Sequence, residues 1–322
     1  MKVVILSVCF VIIGLILVEL ALRLLFGFGN PPLYMADDTI GYLLAPNQRL
    51  RRFGNRIAIN QYSMRADNIE LSRPINTLRV FVIGDSIVNG NWWTDQSETL
   101  SALLQNNLLH HRQQTVEVLN ASANSWGPRN ELAYLKRFGT FESQIVMLVI
   151  NTDDLFGTQP TSLQVGKERS YPSKKPPLAI LEIINRFKKQ PPIPGLKEIQ
   201  NEKGDRIGKN LTAIQAIHSL VVAHNGKLLL AMTPLKREVL DGPRDYEIVA
   251  RQRVNDFVAA QQIPYLDFLE SFQTYATPEA LYRDHIHLSP TGNVLVTEAL
   301  NNLILQGLAS ATERSQSAVP ES

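Results

Sequence analysis

Residues 78–86 read Leu-Arg-Val-Phe-Val-Ile-Gly-Asp-Ser, an apolar run that ends in a short polar turn. Its first six residues, Leu78–Ile83, are rich in apolar and β-branched side chains, which is typical of a buried strand. Gly84, Asp85 and Ser86 follow without a break, so Ser86 lies just past the strand end. Open α/β sheets bind their ligands there. Ser86 can therefore present its hydroxyl to a ligand; a simple turn or helix cap is the alternative.

The rest of the chain continues the alternation that begins at this strand. Short apolar runs predict four more strands, at Val116–Leu119, Ile145–Ile150, Lys227–Met232 and Ile263–Phe268. Helical patterns between and after them predict helices at Thr99–His110, Asn130–Phe138, Ile207–His224, Asp245–Gln261 and Thr291–Leu308. Strands that alternate with helices indicate an α/β domain with a largely parallel sheet.

The composition excludes several classes of protein. Of the 322 residues, 44% are hydrophobic and 19% are charged, which is enough to bury a core and rules out wholesale disorder. The single cysteine allows no intrachain disulfide, thiolate metal cluster or paired-cysteine redox site. The formal charge of +2 does not resemble that of a nucleic-acid-binding protein.

The first 28 residues predict a membrane segment. Val3–Val18 carries no charge, and apolar sequence resumes in Leu20–Phe28. About 20 such residues cross a 30 Å hydrocarbon core. Glu19 and Arg23 are four residues apart and can pair on one helix face near the interface. A cleaved signal peptide is the alternative, but no small-x-small cleavage site follows the apolar run. We predict an uncleaved signal-anchor over residues 1–28.

Three segments do not follow the alternating pattern. Residues 29–74 are rich in proline and arginine, and we predict a juxtamembrane connector to the α/β domain at 75–310. Residues 157–204 hold seven prolines and predict an insertion with one helix, Leu178–Lys188. It lies either at the mouth of the site or in a mobile surface loop. Residues 311–322 predict an unstructured tail.

A second chemical motif lies about 200 residues after Ser86. Asp284-His285-Ile286-His287 directly precedes the last predicted helix. A serine hydroxyl is a poor nucleophile unless a histidine takes its proton, and that histidine needs a carboxylate to fix its tautomer. Asp284 and His287 are close enough in a turn to hydrogen-bond while His287 faces Ser86. His285 and His287 also fit a metal pair, but no further ligand has the right spacing, and we expect no metal.

The two motifs together resemble the SGNH/GDSL hydrolase superfamily. Its first block matches residues 84–86, and its DxxH block before the final helix matches Asp284 and His287. The resemblance covers about residues 78–308. It implies a flavodoxin-like three-layer sandwich with a mostly parallel five-stranded sheet, beside the N-terminal transmembrane helix. It also implies a triad of Ser86, His287 and Asp284 that hydrolyses esters without a cofactor.

Two central blocks depart from the superfamily pattern. Ser125 stands where a glycine supplies an oxyanion N–H, with Gly127 two residues on, and Asp153 stands where the oxyanion asparagine belongs. An oxyanion hole needs donors, and an ionised carboxylate would repel the developing charge. Three alternatives remain: a protonated Asp153, the amide of Asn151, or the N–H groups of Ser86 and Ser125 alone.

All three tryptophans lie near the predicted site. Trp92 and Trp93 follow Ser86, and Trp126 lies in the oxyanion loop. Aromatic rings stack on sugars, but they also pack in cores or anchor proteins at membrane interfaces. We expect them to line the substrate site.

These features together predict a membrane-anchored serine esterase or acyltransferase. Envelope members of the superfamily imply O-acyl, chiefly O-acetyl, esters of envelope carbohydrates as substrates, and a catalytic domain outside a bacterial inner membrane. Charges near the span do not settle that topology. A lipid esterase is one alternative. A degenerate domain that binds polysaccharide or assists assembly is the other, motivated by Ser125 and Asp153. The sequence indicates no nucleic-acid partner and names no protein partner.

Overall fold

The structure, a computed structural model, describes residues 1–111 and 114–317. The strands in these ranges are β1 (Tyr34–Asp37), β2 (Gly41–Leu44), β3 (Gln48–Arg52), β4 (Asn55–Ile59), β5 (Thr77–Gly84), β6 (Thr115–Ser122), β7 (Ile145–Asn151), β8 (Lys227–Thr233) and β9 (Tyr265–Asp267). The helices are α1 (Lys2–Phe26), α2 (Ser86–Asn89), α3 (Leu100–His111), α4 (Pro128–Phe138), α5 (Ala179–Phe187), α6 (Leu196–Gln200), α7 (Arg206–Ala223), α8 (Lys236–Asp241), α9 (Asp245–Gln261), α10 (Leu269–Gln273) and α11 (Pro290–Ser317).

A parallel sheet lies at the centre of the domain. In the described part of the chain it has five strands, in the order β6-β5-β7-β8-β9. This order reverses direction at β5, as in flavodoxin-like folds, and a ligand binds in the crevice at such a switch point. All five strands of the sheet were predicted, and the α/β sandwich is confirmed.

The side chains of β5 point alternately into two separate cores. Phe81 and Ile83 pack with residues of α4, α7 and α9 on one face of the sheet. Val80 and Val82 pack with residues of α3 and α11 on the other. Because both faces are covered, the central strands read as nearly continuous apolar runs. Burial of each large apolar side chain contributes roughly 1.5–3 kcal/mol.

The end of β5 is crowded. A Cβ at Gly84 would lie 2.6 Å from Val88 Cγ2 and would overlap the carbonyl oxygen of Val149 in β7. The chain then turns directly into α2, where the Asp85 carboxylate caps the helix by accepting a hydrogen bond from the Ile87 N–H at 2.8 Å. This turn fixes the residue after Asp85, the candidate nucleophile, at the carboxyl edge of the sheet.

The N-terminal helix α1 is long and apolar enough to cross a membrane. All 25 of its residues are described, and none is buried. Glu19 and Arg23 pair at 2.6 Å, as their spacing predicts. The helix ends at Gly27, which has a φ of +73°, and a Cβ at Gly27 would overlap the carbonyl oxygen of Arg51 in β3. A helix of this kind could be a membrane anchor.

The segment expected to be a connector, residues 29–74, instead forms part of the domain. It folds into two antiparallel hairpins, β1–β2 and β3–β4. Ile40 and Leu43 are buried in the same core as Phe81. The apolar residues of this segment occur only in runs of four or fewer, interrupted by prolines, arginines and other polar residues, so they did not indicate that it packs on the sheet domain.

The insertion at 157–204 packs against these hairpins. The ring of Tyr171 is buried against those of Tyr34 and Tyr42, with centroid distances of 5.1 and 4.9 Å. The helix predicted in this insertion is present as α5.

The last helix extends further than predicted. It continues through residues 311–317 of the segment expected to be unstructured. Extension of an established helix requires no new nucleation, which favours this continuation. Residues 318–322 lie outside the described residues.

Candidate active site

The structure brings Ser86, His287 and Asp284 into one hydrogen-bonded line. Nε2 of His287 lies 2.9 Å from Oγ of Ser86, and Nδ1 lies 2.8 Å from Oδ2 of Asp284. The contact with Asp284 favours the tautomer that carries its proton on Nδ1, so Nε2 is free to accept the serine proton. These are distances at which proton transfer is possible.

A tight loop before α11 holds the acidic end of this line. Oδ1 of Asp284 accepts hydrogen bonds from the backbone N–H groups of Ile286 at 3.0 Å and His287 at 2.8 Å. Partial burial of the Asp284 carboxyl acts to raise its pKa, but these hydrogen bonds and the one from the His287 ring outweigh it. The pKa of Asp284 therefore lies below its ordinary value. Asp284 stays ionised, as a group that stabilises an imidazolium must.

A second set of polar groups lies on the other side of Ser86, around the amide of Asn151. Nδ2 of Asn151 donates to Oδ2 of Asp85 at 2.9 Å and to Oδ2 of Asp154 at 3.0 Å. Both hydrogens of this amide are therefore engaged with carboxyl groups. The amide of Asn151 was expected to donate to the oxyanion. In this arrangement it does not, because it donates to the carboxyl groups of Asp85 and Asp154 instead.

Three carboxyl groups are buried in this second set. Burial raises the pKa of Asp85, and burial together with the charges of Asp85 and Glu131 raises the pKa of Asp154 well above its ordinary value. The pKa of Glu131 is also raised well above its ordinary value by burial and by Asp85. Among the described residues, neither carboxyl oxygen of Glu131 has a hydrogen-bond partner.

The sequence interpretation missed Glu131 and Asp154. A signal for Glu131 was present, because it lies three and four residues before Tyr134 and Leu135 on α4, and these two residues are core residues. A glutamate on the buried face of a helix carries an unusual cost and marks a special environment.

Asp153 lies at the rim of the same site. Its backbone N–H donates to Oδ1 of Asn151 at 2.7 Å. Partial burial and the negative charges of Glu238 and Glu247 raise the pKa of the Asp153 carboxyl. A raised pKa favours the protonated form of Asp153, which is one of the three alternatives for the oxyanion hole.

Ser125 and Gly127, the two residues of the oxyanion loop, have different surroundings. Ser125 has a φ of +57°, the left-handed conformation that glycine adopts without strain and that costs other residues roughly 1–2 kcal/mol. Its Oγ accepts a hydrogen bond from the hydroxyl of Tyr171 at 3.1 Å. The N–H of Gly127 donates to Oδ1 of Asn130 at 3.1 Å, which caps α4. Gly127 is thus engaged in helix capping, contrary to its expected role in the oxyanion hole.

The three tryptophans are divided between the site and the core. Trp92 and Trp93 line the cavity above Ser86, and the Trp93 ring packs edge-on against His287 at 4.9 Å between centroids. Trp126 is buried, and its Nε1–H donates to the carbonyl oxygen of Tyr42 at 3.0 Å. The expectation that Trp126 lines the substrate site is therefore corrected. Its indole packs against the β1–β2 hairpin, whose contact with the sheet domain the sequence did not reveal.

A large cavity connects these elements. It has a volume of about 1050 Å³ and is bordered by Ser86, His287, Ser125 and Asp153 at one end and by residues of α5 at the other. Within the described ranges, no three histidine, cysteine, aspartate or glutamate side chains are grouped as a metal site would require. His285 borders the cavity, with its Nδ1 3.8 Å from Asp284.

Comparisons with known protein families and solved structures found similar proteins. A model of the GDSL-like lipase/acylhydrolase family matches residues 82–295. Similar solved structures include TesA, at 20% identity over 70% of this chain and 97% of that one, with a TM-score of 0.46. A lipase/acylhydrolase from Enterococcus faecalis is 15% identical over 72% and 96%, with a TM-score of 0.45. A Geobacillus acetyl-xylooligosaccharide esterase is 15% identical over 70% and 93%, with a TM-score of 0.48. Among curated proteins, no sequence matches this chain significantly.

Proposed function

Because the chain belongs to the GDSL-like lipase/acylhydrolase family and is an ester hydrolase, we propose that Ser86, His287 and Asp284 are its catalytic triad. The observation that carries this proposal is the hydrogen-bonded line from Asp284 through His287 to Ser86, with contacts of 2.8 and 2.9 Å. The longer contact between Oγ of Ser86 and Oδ2 of Asp85, 3.3 Å, leaves the histidine as the better proton acceptor.

The reaction follows from this arrangement. Ser86 Oγ attacks the ester carbonyl carbon while Nε2 of His287 takes the serine proton. Asp284 stabilises the resulting imidazolium, which then protonates the leaving alkoxide as the carbon–oxygen bond of the ester breaks. Water, or a sugar hydroxyl in the case of transfer, attacks the acyl-serine with the help of the same histidine.

The backbone N–H groups of Ser86 and Ser125 stabilise the oxyanion in this proposal. The N–H groups of Gly127 and Asp153 and the amide of Asn151 are engaged elsewhere, which favours this pair. Each donor in such a hole is worth about 2.7–4 kcal/mol of transition-state stabilisation. The φ of +57° at Ser125 is a conformation that glycine adopts without strain, which supports the match of Ser125 to the glycine position of the superfamily.

The proposed substrates are O-acyl esters, including O-acetyl esters, of envelope carbohydrates. Trp92 and Trp93 border the cavity and offer aromatic faces to a sugar ring. In this proposal α1 anchors the enzyme in a bacterial inner membrane with the catalytic domain on the extracytoplasmic side. A lipid ester is a second candidate substrate, favoured by a cavity of about 1050 Å³ that reaches the helix packed on α1.

The direct test uses the full chain in detergent or vesicles. Hydrolysis of p-nitrophenyl acetate and labelling by a fluorophosphonate should disappear in Ser86→Ala, with kcat reduced by about 10⁶-fold. Ser219→Ala, which removes an exposed hydroxyl on α7, is the matched control and should retain full activity. Undiminished labelling of Ser86→Ala would disprove the assignment. A comparison of O-acetylated oligosaccharides with long-chain p-nitrophenyl esters distinguishes the two substrate classes.

A further inference from the structure

The helix α5 has two faces of opposite character. Ile180, Ile183, Ile184 and Phe187 recur at the i, i+3, i+4, i+7 spacing that places them on one stripe. The side chain of Phe187 is 86% exposed and that of Ile184 is 44% exposed. Among the described residues, neither hydrophobic core includes any of these four side chains. Ile180 and Ile183 are half-buried, so the exposed part of the apolar stripe is its end at Ile184 and Phe187.

The opposite face of α5 belongs to the active-site cavity. Leu181, Glu182, Asn185 and Arg186 border that cavity, at the end away from Ser86. Glu182 is fixed there by Arg52 of β3 at 2.7 Å and by the N–H of Gly29 at 2.7 Å. The helix is thus a wall whose inner face is held by polar contacts and whose outer face is apolar.

The start of α5 is bound directly to α1. The Glu19 carboxylate accepts hydrogen bonds from the N–H groups of Ala179 at 2.7 Å and Ile180 at 3.1 Å, which caps α5. Arg23 donates to the carbonyl oxygen of Pro177 at 2.9 Å. A charged pair within an otherwise apolar helix is thereby satisfied by the start of a second helix.

The position of Glu19 along α1 sets the depth of this contact. Glu19 lies 17 residues after Lys2, or about 26 Å along the helix axis at 1.5 Å per residue. The hydrocarbon core of a bilayer is about 30 Å thick. A membrane crossed by α1 would therefore place Glu19, and with it the beginning of α5, near the boundary between acyl chains and headgroups.

Basic residues flank α5 on both sides. Lys174 and Lys175 precede it, Lys188 and Lys189 follow it, and all four are exposed. An amphipathic helix with large apolar residues on one face and lysines at its ends is typical of segments that lie in the interface of anionic membranes.

We propose that α5 is an interfacial helix whose apolar stripe, Ile180-Ile183-Ile184-Phe187, lies in the surface of the same bilayer that α1 crosses, with the flanking lysines on anionic phospholipid headgroups. This inference rests on the membrane anchor of the proposed function. The partner is the lipid surface itself. Its consequence is that one wall of the active-site cavity rests on the membrane, so the cavity lies at headgroup level.

The test places a fluorophore on the stripe of the full chain. In a Cys9→Ser background, Phe187→Cys is labelled with an environment-sensitive dye and reconstituted into vesicles that contain phosphatidylglycerol. Val222→Cys is the matched control. Its side chain is 54% exposed at the end of α7. This helix leads into the amino-terminal end of β8, whereas Ser86 follows the carboxyl-terminal end of β5.

We expect the dye at position 187 to be quenched by lipids spin-labelled near the headgroup and protected several-fold from aqueous iodide, relative to position 222. Lys188→Glu with Lys189→Glu should weaken this protection in anionic vesicles. Equal iodide access at both positions, in protein that resists alkaline extraction, would overturn the interfacial helix and leave the anchor and the esterase intact. Extraction by alkali would overturn the anchor and this inference together, whereas esterase activity is measured independently of both.

Discussion

The pKa values of the carboxyl groups on the two sides of Ser86 are shifted in opposite directions. On one side, Asp284 accepts three hydrogen bonds, and its pKa is lowered. On the other side, Asp85, Asp154 and Glu131 are buried together, and their pKa values are raised. Asp85 accepts three hydrogen bonds, as Asp284 does, so burial rather than the number of donors separates the two sides: Asp85 is buried, whereas the side chain of Asp284 is 38% exposed. In the proposed mechanism Asp284 serves the chemistry, while the buried carboxyl groups tie the loops after β5 and β7 at a cost in stability.

The largest predicted effect follows from removal of the Asp284 charge, on the less buried side. Asp284→Asn should lower kcat by about 10⁴-fold, because an amide no longer stabilises the imidazolium and favours the wrong tautomer of His287. The measurement is ester hydrolysis by the full chain, with circular dichroism to verify folding. Asp241→Asn, an exposed position at the end of α8, is the control. A loss smaller than tenfold would show that this carboxylate is not the partner of the catalytic histidine.

The second prediction concerns Glu131, on the buried side, and affects stability rather than activity. The folded protein holds the Glu131 proton above the ordinary pKa of 4.5, whereas the unfolded chain releases it there. The folded state therefore loses stability as pH rises above that value, by about 1.4 kcal/mol per pH unit until the folded pKa is reached.

Glu131→Gln removes the titrating proton and with it this pH-dependent loss of stability. The variant should exceed the wild type in free energy of unfolding at pH 7, and the difference should shrink towards zero near pH 4. Urea titrations at several pH values measure it. Glu198→Gln, on the exposed side of α6, should show no such trend. A variant that is less stable at every pH would mean that the carboxyl has a partner of its own.

The smallest predicted effect lies at the rim between the two sides. Asp153→Asn should leave kcat/KM unchanged or raise it up to about tenfold, because an amide can donate where an ionised carboxylate repels the oxyanion. Since the pKa of Asp153 is raised, the wild-type carboxyl is neutral at lower pH, and any gain should grow as pH increases. A large loss of activity would instead assign the carboxylate a role of its own.

The sequence predicted the features that short stretches of chain determine. The five strands are apolar runs with turn signals, and each of the Gly84-Asp85-Ser86 and Asp284–His287 motifs forms within a single turn. These local patterns were sufficient to predict the sheet and to identify the three residues that the structure brings together.

Features that depend on contacts between distant segments could not be predicted in this way. Asn151 and Asp85 are 66 residues apart, and their contact removes Asn151 from the set of available donors. Trp126 packs against Tyr42 across 84 residues. The hairpins at 29–74 are likewise stabilised by packing on a core that the rest of the chain builds.

The joint between α1 and the rest of the molecule has a consequence for how substrates arrive. Gly27 fits against Arg51, and the N–H of Phe53 donates to the carbonyl oxygen of Phe26 at 3.0 Å. A flexible tether would let the active site of an anchored enzyme reach many different heights above the membrane. With α1 as the proposed membrane anchor, a rigid joint would hold the site at a single height above the bilayer, and the encounter with substrate would become a two-dimensional search. Residues inserted at Gly27 would then change which substrates the enzyme can reach without any change to its chemistry.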